Sequence, residues 1–156
     1  YVTSLAKHGF RRFYFLNGHG GNIQPVNTAF SEIYANRSLG ADMPQLRLKL
    51  RNWFDSEKVR AYSKENFGDL EGMHATISEV SVTQYAHPEA LKDVGPVEKA
   101  GHDGRPFGDC DDYRALYPDG RMGSKPDLAT PEHGKALVEA SVGDLVEDYK
   151  AFMAQA

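Results

Sequence analysis

The segment that most constrains this fold is a strand, a glycine-rich turn and a helix in immediate succession. The apolar run Phe13–Leu16 predicts a buried strand over residues 11–17. Residues Asn17–Asn22 have the sequence Asn-Gly-His-Gly-Gly-Asn, and helical spacing begins at Pro25. His19 therefore follows the carboxyl end of a strand, where open α/β sheets bind ligands. We expect chemistry here, because histidine can bind metal or move protons at neutral pH. We also expect the glycines to clear space around the imidazole, and some to adopt dihedral angles that other residues resist.

The remaining pattern predicts one more strand and several helices. The strand covers about 45–53, and the helices cover 2–8, 25–37, 57–66 and from Thr76 to His87. A last helix follows the N-cap Thr130 and has Pro131 at its first position. Its predicted buried stripe is Leu137, Ala140, Leu145, Tyr149 and Phe152. Residues 93–127 hold six glycines and four of the eight prolines without a sustained period, which predicts a long loop. The element order indicates an α/β fold with a mostly parallel sheet.

Composition excludes several classes of protein. A length of 156 residues fits a single domain over 1–156, and a net charge of −4 offers no general attraction to nucleic acid or anionic membranes. Cys110 is the only cysteine, so neither an internal disulfide nor a thiolate metal cluster can form. No signal peptide or long apolar run is visible, so we expect a cytoplasmic protein. The chain starts at Tyr1 inside a helical pattern and has few strands, from which we expect that an N-terminal part of the parent protein is absent.

A second motif lies about 55 residues after the first. Gly72–Ser81 has the sequence Gly-Met-His-Ala-Thr-Ile-Ser-Glu-Val-Ser, with His74 before a predicted helix and Glu79 in its first turns. Residues five apart do not share a helix face, but a histidine ahead of the helix can bend back over a pocket that Glu79 enters. Histidine with carboxylate suits zinc, manganese or iron(II) rather than calcium. Alternatively, Glu79 is a helix-start acid favoured by the macrodipole and His74 belongs to an ordinary turn.

Other residue types that carry chemistry have weaker context. The acidic run Asp109–Asp112 could donate carboxylates, although an acid-rich surface loop is the favoured interpretation. Cys110 could be a nucleophile, but no paired histidine is recognisable. Trp53 and Phe54 end the second strand at the same sheet edge as His19 and either wall a pocket or belong to the core. The remaining histidines have no motif context and are predicted to be surface residues: His8, His87, His102 and His133.

Together the two motifs resemble the creatininase family of metal-dependent amidohydrolases, whose second motif is His-Ala-Gly-Glu-x-Glu-Thr-Ser. Tyr117–Gly123 and Pro126–Lys135 are also similar to stretches that precede the last helix in many members. The resemblance covers nearly the whole chain and implies a three-layer α/β/α fold. It also implies a small-molecule amide substrate and a homo-oligomer, often a hexamer, to which the 93–127 loop could contribute contacts.

The resemblance assigns roles to particular residues. His19 and Glu79 are implied as metal ligands, and His74 as the residue that contacts substrate and carries a proton to the leaving nitrogen. Gly20, Gly21 and Asn22 are implied to offer backbone N–H groups to a substrate carbonyl. Members hold two divalent ions with a bridging hydroxide, and zinc, manganese or iron would suit the site. Such ions lower the pKa of bound water and polarise the amide.

Several residues depart from the family pattern, and these departures bear on the catalytic base, the substrate and the metal ligands. Gly21 stands where the family's type member has a glutamate, and Ile77 and Thr76 replace the acid and glycine of the second motif. Glu79 or the metal-bound hydroxide would have to act as the base, which makes creatinine a poor expectation for the substrate. The family's other ligands, a Glu-x-His pair and a bridging aspartate, lie upstream of the first helix here, and these 156 residues contain no Glu-x-His.

The sequence therefore predicts an amidohydrolase that cleaves a non-peptide or cyclic C–N amide bond by means of a metal-bound hydroxide. A non-catalytic α/β module with a structural or binding role is the alternative, supported by the missing ligands. A nucleotide- or phosphate-binding domain using the glycine turn is a weaker alternative, because the turn has neither a third glycine nor a phosphate-contacting lysine.

Overall fold

The computed structural model describes residues 1–40 and 42–155. It divides into two compact units: unit 1 comprises Tyr1–Ser56 and Gly143–Ala156, and unit 2 comprises Glu57–Val142. The two strands are β1 (Arg12–Asn17) and β2 (Arg47–Asn52). The helices are α1 (Val2–Lys7), α2 (Ile23–Ser38), α3 (Glu57–Asn66), α4 (Ile77–Ala86), α5 (Cys110–Leu116) and α6 (Pro131–Met153).

In unit 1 the two strands form a parallel pair. The register runs from Arg12 opposite Arg47 to Asn17 opposite Asn52, and α2 lies in the connection between the strands. Parallel strands need such a crossover, and their carboxyl ends meet at one edge of the sheet. Asn17 and Asn52 consequently sit side by side at the edge where the glycine turn begins.

Helices cover both faces of this sheet. On one face Phe13 and Leu46 are buried with Val2 and Ala6 of α1, and the ring of Phe15 lies 5.4 Å from that of Phe30 in α2. On the other face the Tyr14 hydroxyl donates to Asp148 of α6 at 2.8 Å. These contacts agree with the predicted α/β class and its three-layer arrangement.

The same face carries a small charged cluster. Lys49 Nζ lies 2.6 Å from Asp148 Oδ1. Burial raises the pKa of the Tyr14 hydroxyl, and its hydrogen bond to the Asp148 carboxylate raises it further. Burial also acts to raise the pKa of Asp148, but hydrogen bonds from Lys49 and Tyr14 outweigh it and hold that pKa below its ordinary value. The cluster ties the end of α6 to both strands.

In unit 2 the start of α6 packs closely against α4. Leu137 and Ile77 are fully buried, and the Thr130 N–H donates to Ser81 Oγ at 3.2 Å. A Cβ at Gly134 would lie 2.0 Å from the Ser81 carbonyl oxygen, so this approach requires glycine. Residues 129–134, with the sequence Ala-Thr-Pro-Glu-His-Gly, therefore form a surface against which α4 packs.

Three sequence predictions about the elements are wrong in detail. The second helix begins at Ile23 rather than Pro25, because proline is tolerated in a first turn, where backbone N–H groups have no intrahelical partner. The predicted 93–127 loop contains α5, which is capped by the Asp109 side chain accepting from the N–H groups of Asp111 and Asp112. The acidic run is therefore a helix start, where negative charge is favourable.

Burial differs from prediction at two aromatic side chains. Tyr149, predicted to belong to the buried stripe of the last helix, is 47% exposed, although its ring meets the Tyr14 ring edge-on. His133, predicted to be a surface residue, is half-buried, and its Nδ1 lies 2.8 Å from the Tyr62 hydroxyl. Across the described residues, none of the helices has the length and apolarity that a membrane span requires.

Candidate functional site

The glycine turn is organised by Asn17, which sequence reasoning did not single out. Asn17 ends β1 and is 5% exposed. Its amide nitrogen donates to the His19 carbonyl at 2.8 Å and to Asn52 Oδ1 at 2.7 Å. Its amide oxygen accepts from the His19 N–H at 3.2 Å. Because both ends of one buried carboxamide are used, the backbone on either side of His19 is fixed to the sheet.

Two further side chains close this network. The Asn22 amide donates to Asn17 Oδ1 at 3.1 Å, so its side chain holds the turn as well as bordering it. The indole N–H of Trp53 donates to the Gly18 carbonyl at 3.2 Å. Trp53 is half-buried and lies at the predicted sheet edge. The turn is therefore held from both strands and runs directly into α2.

His19 itself is exposed at the rim of the turn. A Cβ on Gly21 would lie 3.0 Å from His19 Nε2, so the missing side chain at position 21 leaves room for the imidazole. The expectation of unusual backbone angles is wrong, since none of Gly18, Gly20 and Gly21 has a left-handed φ. Added Cβ atoms on Gly18 and Gly20 would meet nothing within 4 Å, so these glycines leave their backbone open to solvent.

The second motif, in unit 2, has the predicted local form. His74 lies three residues before α4, and Glu79 is the third residue of that helix. Thr76 caps α4 by accepting from the Glu79 N–H at 3.2 Å, and its hydroxyl is 3.5 Å from Glu79 Oε2. Both His74 and Glu79 are half-buried. Ala75, between them, has a φ of 53°, a left-handed conformation that is uncommon for a residue other than glycine.

Glu71 is a second carboxylate at this helix start that sequence reasoning missed. One of its oxygens accepts from the Ser78 N–H at 3.2 Å and the other from the Ser78 hydroxyl. Burial raises the pKa of Glu71, the Ser78 hydrogen bonds oppose that rise, and the nearby Glu79 carboxylate adds to it. Its only sequence signal was an acid in a turn-rich segment. Glu71 therefore stabilises the first turn of α4, which contains Glu79.

The other candidate positions are accounted for structurally. Ile77 is fully buried, so the position where the family pattern has an acid belongs to the core. Cys110 is exposed, and its Sγ lies 3.8 Å from the Asp111 carboxylate.

The described residues place the predicted site residues in two groups. His19, Gly20, Gly21 and Asn22 share one turn in unit 1, whereas His74 and Glu79 flank Thr76 in unit 2. Within 1–40 and 42–155, no three histidine, cysteine or acidic side chains form a group that could hold a metal ion. Imidazole and carboxylate are the right donors for zinc or manganese, but protein sites use three or four. The donors described here are thus chemically suitable and too few by themselves.

Comparison with known proteins points to one family. The family model described as "Creatininase: Creatinine amidohydrolase" matches residues 1–149. No curated protein matches the chain in sequence.

Solved creatininase structures share the fold of this chain. A crystal structure of creatinine amidohydrolase (creatininase) and a structure described as "Creatininase Mn" each superpose with a TM-score of 0.70 at 20% identity. A tryptophan-to-phenylalanine mutant of creatininase superposes with a TM-score of 0.71 at 21% identity. Each comparison covers 99% of this chain and 61% of the other, so the chain spans about three fifths of their length.

Proposed function

Because the chain belongs to the creatininase family, we propose that it is a metal-dependent amidohydrolase that cleaves a non-peptide or cyclic C–N amide bond. The observation that carries this proposal is the glycine turn. It presents an exposed histidine at the carboxyl edge of a parallel sheet, with Gly21 leaving room for the ring and Asn17 fixing the backbone on both sides. A ligand site at such an edge is typical of open α/β sheets.

We assign the roles as follows. His19 and Glu79 bind metal, and their donor types suit zinc, manganese or iron. His74 contacts substrate and transfers a proton to the leaving nitrogen, for which an imidazole is suited near neutral pH. Gly20, Gly21 and Asn22 contact the substrate, and their exposure supports this assignment. Bound metal would supply the Lewis acidity that activates water and polarises the amide.

The enzyme needs more donors than these two. The matched creatininase chains contain residues beyond the region that this chain covers, and one of them is described with manganese. We propose that the complete site holds two divalent ions, and that the enzyme acts on a small-molecule amide as a homo-oligomer, with a hexamer as the specific expectation. Ile77 stands where the family pattern has an acid, and Gly21 stands where the family's type member has a glutamate, so creatinine is not the proposed substrate.

A non-catalytic α/β module is the second candidate function. It is favoured by one observation, the lack of a three-donor group among residues 1–40 and 42–155. Such a module would keep the fold and the turn for a structural or binding role.

Hydrolysis assays separate the two functions. The complete protein, including the further metal donors, is purified, stripped with chelator and reloaded with Mn²⁺, Zn²⁺ or Fe²⁺. It is then incubated with a panel of small cyclic and acyclic amides while mass spectrometry follows ring opening or cleavage. We expect turnover of at least one amide that chelation abolishes and metal restores. His74→Gln should lower turnover by about 10²–10⁴-fold, whereas His87→Gln, at an exposed site, should not change it. Turnover that survives chelation would contradict the metal-dependent mechanism. A complete protein that neither binds metal nor turns over any amide would favour the module.

A further inference from the structure

The backbone around His74 is held by a segment about fifty residues later in the chain. The Met73 N–H donates to the Met122 carbonyl at 2.8 Å, and the Met122 N–H donates to the His74 carbonyl at 3.3 Å. These bonds form an isolated antiparallel bridge between His74 and Met122. Since His74 precedes α4, the hydrogen bonds of that helix do not fix it. The bridge therefore helps to fix the backbone position of His74.

Ser124 adds the shortest bond to the same carbonyl. Its Oγ donates to the His74 carbonyl oxygen at 2.7 Å, and Ser124 is fully buried. The neighbouring Lys125 N–H donates to the Leu70 carbonyl at 3.0 Å, and the Ser124 carbonyl accepts from the Ala100 N–H at 3.0 Å. Residues 122–125, which we call the clamp segment, are therefore bonded both to the His74 turn and to a further part of unit 2.

Close packing leaves the clamp segment little room to move. Gly72 has a φ of 71°, and a Cβ there would lie 2.4 Å from the Ser124 backbone nitrogen. On the other side of His74, Ala75 is held in a left-handed conformation with a φ of 53°. A non-glycine residue keeps such a conformation only when its surroundings impose it. The direction in which His74 leaves the backbone is thus set by contacts from outside its own segment.

We propose that Ser124 is the positioning residue of His74, acting through the clamp segment to fix the imidazole that the proposed function assigns to proton transfer. The Gly-Ser-Lys-Pro stretch beginning at Gly123 then has a definite role, which is to orient the second motif. Removing the Ser124 hydroxyl takes away the shorter of the two described hydrogen bonds to the His74 carbonyl, the other being donated by the Met122 N–H. The turn should loosen at His74 before unit 2 unfolds.

Solution NMR of histidine-labelled protein tests this inference without metal or substrate. The ring signals of His74 are assigned by their loss in His74→Gln, and those of His133, bonded to Tyr62, serve as an internal reference. In Ser124→Ala we expect the His74 signals to shift by more than their line width and to broaden, with His133 unchanged. Ser124→Cys, which keeps size and a weak donor, should restore part of the wild-type shift.

The control is Ser81→Ala, which removes another fully buried serine hydroxyl in unit 2 that contacts Thr130 rather than His74. It should lower the melting temperature while leaving the His74 signals in place. The inference is overturned if Ser124→Ala, or Ser124→Gly should the alanine variant not fold, shows wild-type His74 signals. The NMR experiment uses protein without metal or substrate. A failure to bind metal or hydrolyse amides would therefore contradict the proposed function without affecting this test of Ser124.

Discussion

Gly72→Ala is expected to lower the free energy of unfolding by about 2–5 kcal/mol, the sum of two costs of the same sign. With a φ of 71°, alanine would be held in a left-handed conformation, which costs roughly 1–2 kcal/mol. The new Cβ would lie 2.4 Å from the Ser124 nitrogen and 2.5 Å from the Met122 carbonyl oxygen. Both are backbone atoms, so the clamp segment must move, and overpacking of this kind costs about 1–3 kcal/mol. Urea unfolding followed by circular dichroism measures the change.

Gly120→Ala is the matched control for that prediction. Gly120 has a similar φ of 80°, but an added Cβ there would meet nothing within 4 Å. Gly120→Ala should lower the free energy of unfolding only by the cost of the left-handed conformation, about 1–2 kcal/mol. Equal losses for the two variants would show that the packing of Gly72 against the clamp segment contributes nothing.

His19→Ala is expected to weaken metal binding by at least 100-fold, because it removes a proposed ligand, and even changes to residues that only orient ligands cost about 10–100-fold. His19 is exposed and its backbone is held by Asn17, so the substitution should leave the melting temperature nearly unchanged. Calorimetric titration of the chelator-treated complete protein with Mn²⁺ or Zn²⁺ measures the affinity.

His8→Ala provides the comparison, since His8 is also an exposed histidine of unit 1 and follows the end of α1. It should bind metal as the wild type does. If both variants kept wild-type affinity, His19 would not be a ligand, whereas a loss in both would indicate unspecific binding to surface histidines.

The first motif was the most predictable part of the fold, for a local reason. An apolar run, a glycine turn and a helical period follow each other within about 25 residues, so short-range pattern decides the structure of β1, the turn and α2. The parallel pairing also followed, since a strand–helix–strand order leaves few other arrangements. The pattern could not show the structural role of Asn17, because that role depends on the register that places Asn17 beside Asn52.

The second motif was predictable only in outline. Thr76 and Glu79 signal a helix start, and the structure has one there. The contacts of Glu71 and Ser124 could not be predicted, because their partners are seven and fifty positions away and only the folded chain brings them together. The short helix α5 was missed since seven residues within a glycine- and proline-rich stretch give too little period to detect. Tyr149 was misplaced because a helical stripe predicts which face is apolar, not how much of that face a neighbour covers.

The most direct test of the central claim, that His19 and Glu79 bind the catalytic metal, is an anomalous difference map from crystals soaked in Mn²⁺. We expect Mn²⁺ peaks that place a ring nitrogen of His19 and a carboxylate oxygen of Glu79 each within about 2.0–2.2 Å of a metal ion, the range for such ligands. The peak beside His19 should vanish in crystals of His19→Ala. Ordered His19 and Glu79 side chains with no peak beside them, or a Mn²⁺ ion bound by other residues, would contradict the account.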